Sequence, residues 1–211
     1  MDYDLIYPSK ERVIHEAPCV IATSYFYPEE LIKLGVDRDA FEVNEPFIDD
    51  NEFEKVFKLW ESPKYLRQFF AENKNHFEQE YWNNITEAQF VGDVIKSLNK
   101  IKSNLLELFK THTFHTVVEP LDPIEEDLRL YQSIRIKVKQ GWIHNRMAFR
   151  FYAIEIEENK CYLITGATIK IHKDMLKAKN TSIEMAKLEY AHRELASKGI
   201  DTKTLFIDFL L

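Results

Sequence analysis

Two different strand patterns run back to back between residues 134 and 156, and together they restrict the chain to a sheet with unequal faces. Ile134, Ile136 and Val138 alternate with Arg135, Lys137 and Lys139, so a strand here is apolar on one face and cationic on its reverse. Residues 148–156 then set Phe149, Phe151 and Ala153 against Arg150, Tyr152 and Ile154. Both of those faces are largely apolar, which predicts a central strand. A turn is expected at Gln140-Gly141 and a second, hairpin turn over residues 157–160. A return strand begins at Cys161, and Gly166 predicts a bulge before Thr168, Lys170 and His172 line up on one face. A meander of antiparallel strands is the economical topology.

Helical periodicity precedes this block. Phe53, Val56, Phe57 and Trp60 recur at three- and four-residue steps, and Ser62-Pro63 has the cap and first-turn chemistry of a new helix, continued by Tyr65, Phe69, Phe70 and Phe77. Aromatic residues at this spacing are read as core and not as stacking platforms. Thr86 and Gln89 form a capping box. The helix it opens carries Phe90, Val94, Leu98, Ile101, Leu105 and Leu108 along one face and ends near Thr111. A second capping box, Thr181 to Glu184, predicts another helix, closed by Gly199, and a last short helix covers residues 201–211. The first fifty residues alternate short apolar runs with Pro8, Pro18, Pro28 and Pro46, which fits short strands, turns and one brief helix over residues 28–34.

Charge divides along the same lines. Residues 1–128 hold 13 Lys and Arg against 26 Asp and Glu, residues 129–179 hold 11 against 4, and the remainder 4 against 5. A basic segment inside a chain of net charge −7 points to a localised anion-binding face, with nucleic acid as the natural ligand and a solvated basic rim as the alternative. The acidic first half is in a position to fold over that face and shield it.

Other function classes find less support. There is no Gly-rich phosphate loop, nucleophile elbow or Cys/His ligand spacing, so no cofactor and no metal is expected. Cys19 and Cys161 read as two buried thiols. The first eight residues lack the basic and apolar regions of an export signal, and no stretch approaches the roughly 18 apolar residues of a membrane span. A cytoplasmic protein without membrane contact is expected.

Phe149-Arg-Phe-Tyr-Ala-Ile-Glu-Ile156, Tyr162-Leu-Ile-Thr-Gly-Ala-Thr-Ile-Lys170 and a following helix ending at Ile200-Asp-Thr-Lys resemble the RelE/ParE superfamily of bacterial toxin-antitoxin modules. The resemblance spans residues 50–200 in outline and a shorter stretch in recognisable pattern. It implies an α+β fold over residues 49–211, with an antiparallel β-meander packed against an N-terminal helix pair and a C-terminal helix. Residues 1–48 would be an extension of unassigned role. The implied activity is that of a toxin, a metal-independent mRNA endoribonuclease often acting on the ribosome and held inactive by an antitoxin protein. The alternative is a non-catalytic module of the same fold that binds protein or nucleic acid.

By position in the pattern, Arg150, Lys170 and His172 would be catalytic, and Arg135, Lys137, Lys139 and Lys173 would bind RNA. Attack by a ribose 2′-oxygen on the adjacent phosphorus gathers charge on the non-bridging oxygens, which guanidinium and ammonium groups stabilise. Arg150 takes that role, and His172 is the candidate acid or base, histidine being the side chain suited to proton transfer at physiological pH. Tyr152, if it lies on an open face, and His144 are reserve candidates. For Arg150 the rival reading is a structural ion pair with Glu155 or a helix carboxylate.

Overall fold

Strands β1 (Tyr3–Tyr7), β2 (Val20–Ser24), β3 (Val118–Pro120), β4 (Ile134–Ile143), β5 (Arg146–Glu157) and β6 (Cys161–Ile169) form one sheet in the order β1-β2-β6-β5-β4-β3. This computed structural model describes residues 1–8, 14–35, 49–121, 133–143, 146–172 and 178–211. The candidate residues His144 and Lys173 lie outside the described residues.

The α+β class and the β4-β5-β6 meander agree with the sequence reading. The sheet itself is larger and mixed. β2 runs parallel to β6, from Val20 opposite Cys161 to Thr23 opposite Ile164, and β1 pairs antiparallel with β2. The β2–β6 pairing joins segments about 140 positions apart in the chain, so local patterning carries no record of it. The expected turn at Gln140-Gly141 is a second correction. β4 continues through it to Ile143, which pairs with Arg146. Gly141 has φ of +68°, and a β-carbon there would lie 2.4 Å from Ile101 Cδ1. Its missing side chain lets a helix approach the sheet; the glycine marks close packing and not chain reversal.

Seven α-helices lie among the described residues: α1 (Pro28–Lys33), α2 (Glu52–Trp60), α3 (Pro63–Glu72), α4 (Lys74–Phe77), α5 (Glu87–Lys110), α6 (Lys179–Ser197) and α7 (Lys203–Leu210). They cover both faces of the sheet. Phe57, Trp60, Phe69, Phe90, Leu98 and Leu105 pack with Ile136, Val138, Phe149 and Phe151 in one core. Leu188, Ala191, Leu195, Phe206 and Ile207 pack with Tyr152, Ile154, Ile156 and Leu163 in the other. The central position of β5 follows from its two apolar faces, as its sequence requires.

The caps expected from the sequence form with one exception. Thr86 Oγ1 accepts from the Gln89 amide at 3.3 Å, and Gln89 Oε1 accepts from the Thr86 amide at 3.0 Å. At the end of α6, Gly199 has φ of +67°; its amide donates to Ala196 O and the Ile200 amide donates to Leu195 O, a Schellman closure. The box expected at Thr181-Glu184 is absent. α6 begins earlier, at Lys179, and the Thr181 hydroxyl donates to Ala178 O at 3.1 Å. Glu184 is committed to a buried ion cluster instead. Among the described residues no helix is long and apolar enough to cross a membrane.

Candidate anion-binding site

Pairing across β4, β5 and β6 builds the basic face one row at a time. Lys139 stands opposite Arg150, and Arg150 opposite Thr168; Lys137 stands opposite Tyr152, and Tyr152 opposite Gly166; Arg135 stands opposite Ile154. Antiparallel partners project to the same side, so Arg135, Lys137, Lys139 and Arg150 share the face that α6 covers in part. The alternation in the sequence therefore gathers four of the seven candidate site residues.

Their partners differ. Arg135 bonds Glu189 on α6, which also holds Arg193 at 2.7 Å. Lys139 pairs with Glu119 on β3 at 2.5 Å, and Lys137 reaches the same carboxylate at 4.0 Å while donating to Pro120 O at 3.2 Å. Arg150 is half-buried, and its guanidinium donates to Phe149 O at 3.5 Å. Among the described residues no carboxylate lies within ion-pair distance of it. Burial lowers its pKa from the ordinary value, opposed by Tyr152, Tyr81 and Glu119. The rival reading of Arg150 as half of a pair with Glu155 is not met: Glu155 accepts from the Tyr162 hydroxyl at 3.0 Å and the Asn159 amide at 2.9 Å.

The C-terminal end of β6 lies at the same end of the sheet as the β4–β5 connection. Lys170 follows β6 directly, and its amide donates to Ala148 O at 2.9 Å. His172 sets its ring against His76 of α4 at 5.3 Å, edge to face. One residue earlier, Ile171 O accepts from the Trp82 indole at 3.3 Å. Tyr152 lies on the Arg150 face but is fully buried, and burial with the nearby Glu184 carboxylate pushes its phenol well above the ordinary value. A phenol so displaced stays protonated at neutral pH and is unfit as a base.

Sequence reasoning missed one constellation. Lys187 Nζ lies 2.7 Å from both Glu52 Oε2 and Glu184 Oε1, all three side chains are buried, and Lys55 reaches Glu52 Oε1 at 2.9 Å. Glu184 Oε2 is buried and accepts no hydrogen bond, lying where a β-carbon on Gly166 would stand at 2.0 Å. Desolvation raises the Glu184 carboxyl to about 7 against the pull of Lys187, and Lys187 itself is held well above the usual amine value by the two carboxylates. Glu52, with two cations beside it, is held below the ordinary carboxylate value despite its burial. A signal was present: continuing the Leu188, Ala191, Leu195 stripe backward by helical steps lands on Glu184 and Thr181, so charge falls on the buried face.

Compared with known proteins, the chain matches no family model, no curated protein and no solved structure. The likeness to the RelE/ParE superfamily thus rests on the residues quoted above. Among the described residues no group of three or more His, Cys, Asp or Glu is placed to hold a metal ion.

Proposed function

We propose that this protein is a RelE-like toxin: a metal-independent endoribonuclease that binds mRNA across the β4–β5–β6 face in the cytoplasm and is held inactive by an antitoxin protein. One observation carries the reading. Arg150 is a half-buried guanidinium with no carboxylate mate among the described residues, in register with Lys139 and Thr168. A cation held partly out of water without a counter-ion favours an anionic ligand.

In this reading Arg150 faces the scissile phosphate. The 2′-oxygen attacks phosphorus, the bond to the 5′-oxygen breaks, and the products are a 2′,3′-cyclic phosphate and a 5′-hydroxyl. Arg150 offsets the charge that gathers on the non-bridging oxygens. His172 is the candidate for moving the proton, with His76 against its ring. Lys137 and Lys139 hold the strand after exchanging Glu119 for phosphate.

A specific observation favours a second reading, a non-catalytic module of the same fold. Three of the four gathered cations already hold carboxylates within the chain, which suits moderate phosphate binding better than cleavage. One experiment separates the two. Induced expression of the wild type is expected to arrest growth and cut mRNA, Arg150→Ala is expected to lose cleavage by at least a hundredfold, and a chelator is expected to leave cleavage intact. Expression without arrest or cleavage would favour the binding module instead.

A further inference from the structure

Tyr81 is the only aromatic side chain among the large apolar groups exposed on the described surface, at 40 %. The turn that carries it is anchored in the core. The 3-10 turn Glu80–Trp82 is pinned by Trp82, which is fully buried and donates its indole hydrogen to Ile171 O. Asn83 and Asn84 follow with φ of 49° and 54°, two consecutive left-handed residues that reverse the chain before the buried Ile85. The Arg146 guanidinium carbon stands 4.9 Å above the Tyr81 ring. Arg150 lies four residues further along β5 on the same side of the strand as Arg146. An exposed ring, a guanidinium stacked on it and a second guanidinium without a carboxylate mate among the described residues therefore converge at the end of the sheet where β4 meets β5.

We infer that Tyr81 and Arg146 form a nucleobase platform, which extends the basic face into a site for unpaired RNA: the base stacks on the Arg146–Tyr81 pair while its backbone runs to Arg150. This deepens the RNA reading above and rests on it. Unpaired bases are recognised by stacking on aromatic rings and guanidinium planes, and such a contact is sequence-tolerant because every base has a π-face. Phosphate contacts alone would not require an exposed phenol ring. A duplex keeps its bases stacked on one another and gains nothing from the platform.

The test uses the full chain and a fluorescein-labelled, 2′-O-methyl oligoadenylate of about six nucleotides, a length within the site sizes of single-strand binders; blocking the 2′-oxygen prevents cleavage during the measurement. Tyr81→Ala is expected to weaken binding on the order of tenfold with the salt dependence unchanged. Tyr81→Phe is expected to bind as wild type, and the same oligomer in duplex form is expected to be indifferent to Tyr81→Ala. Arg150→Ala is expected to weaken binding and lower the salt slope by about one. If Tyr81→Ala binds as wild type while Arg150→Ala does not, the platform is wrong and the RNA face survives. If the oligomer binds no variant and not the wild type, both fall. If binding depends on Tyr81 but unmodified RNA is never cut, the platform stands and the nuclease reading falls. Tyr81 is exposed, so circular dichroism and thermal melting will show a folded Tyr81→Ala protein.

Discussion

Lys187 is the residue on which the buried charge cluster turns. It is the one cation shared by Glu52 and Glu184, and removing it leaves Glu52 with Lys55 alone and takes from the buried Glu184 the cation it contacts. Lys187→Met is expected to destabilise the fold by roughly 3–5 kcal/mol, measured as the shift in urea midpoint at constant slope. Adding Glu184→Gln to that variant should recover part of the loss. Gly166→Ala acts on the same cluster from the sheet side, because the new carbon would overlap Glu184 Oε2 at 2.0 Å and Lys187 Nζ at 2.8 Å, at a φ of +148° that side chains rarely adopt. The cluster also sets a pH dependence whose sign is fixed by Glu184. Its carboxyl is raised from the ordinary 4.5 to about 7 in the folded protein, so the folded state binds the proton more tightly than the unfolded state. Its contribution is complete below pH 4.5 and is lost as pH rises toward 7 and beyond. Unfolding midpoints measured from pH 5 to pH 8 should therefore fall in the wild type and flatten in Glu184→Gln. An equal slope in both proteins would assign the dependence elsewhere.

At the scale of elements, what could be read in advance depended on how local the cause was. Ile134, Ile136 and Val138 against Arg135, Lys137 and Lys139 is a two-residue period, and β4 forms with those faces. Thr86 with Gln89 is a three-residue relation, and α5 starts there; Thr86→Ala should cost about 1 kcal/mol in a melting experiment. The Thr181-Glu184 box had the same spacing and did not form, because a buried lysine competes for the glutamate and the local motif loses to the tertiary partner. Gly141 failed for a related reason, since a helix-to-sheet contact and a chain reversal leave the same mark in sequence. The basic site was half legible. Alternation set Lys137, Lys139 and Arg150 on one side, but the carboxylate that holds two of them sits on β3, a three-residue edge strand with no pattern of its own. Glu119→Gln releases Lys137 and Lys139 to the ligand, and the expected outcome is several-fold tighter RNA binding with a steeper salt dependence. An unchanged affinity would mean that the face is not where the strand lies.

For the molecule as a whole, the charge split and the topology bear on each other. Among the described residues of the acidic first half, Glu119 pairs with two cations of the basic face, Lys137 and Lys139. Residues 3–24 supply β1 and β2, and every residue of β2 is buried. β2 closes the edge of β6 by parallel pairing and places Cys19 and Ile21 in one core and Val20 and Ala22 in the other. Removing it would uncover β6, whose nine residues are all buried, as an apolar edge that pairs readily with other chains. A protein beginning at residue 49 is therefore expected to aggregate or to unfold without a cooperative transition in urea, so its RNA affinity would report loss of fold and not loss of shielding. A soluble product with a cooperative transition and the native midpoint would show instead that the first two strands are dispensable to the sheet, and that Glu119 alone is the wrong place to look for the shield.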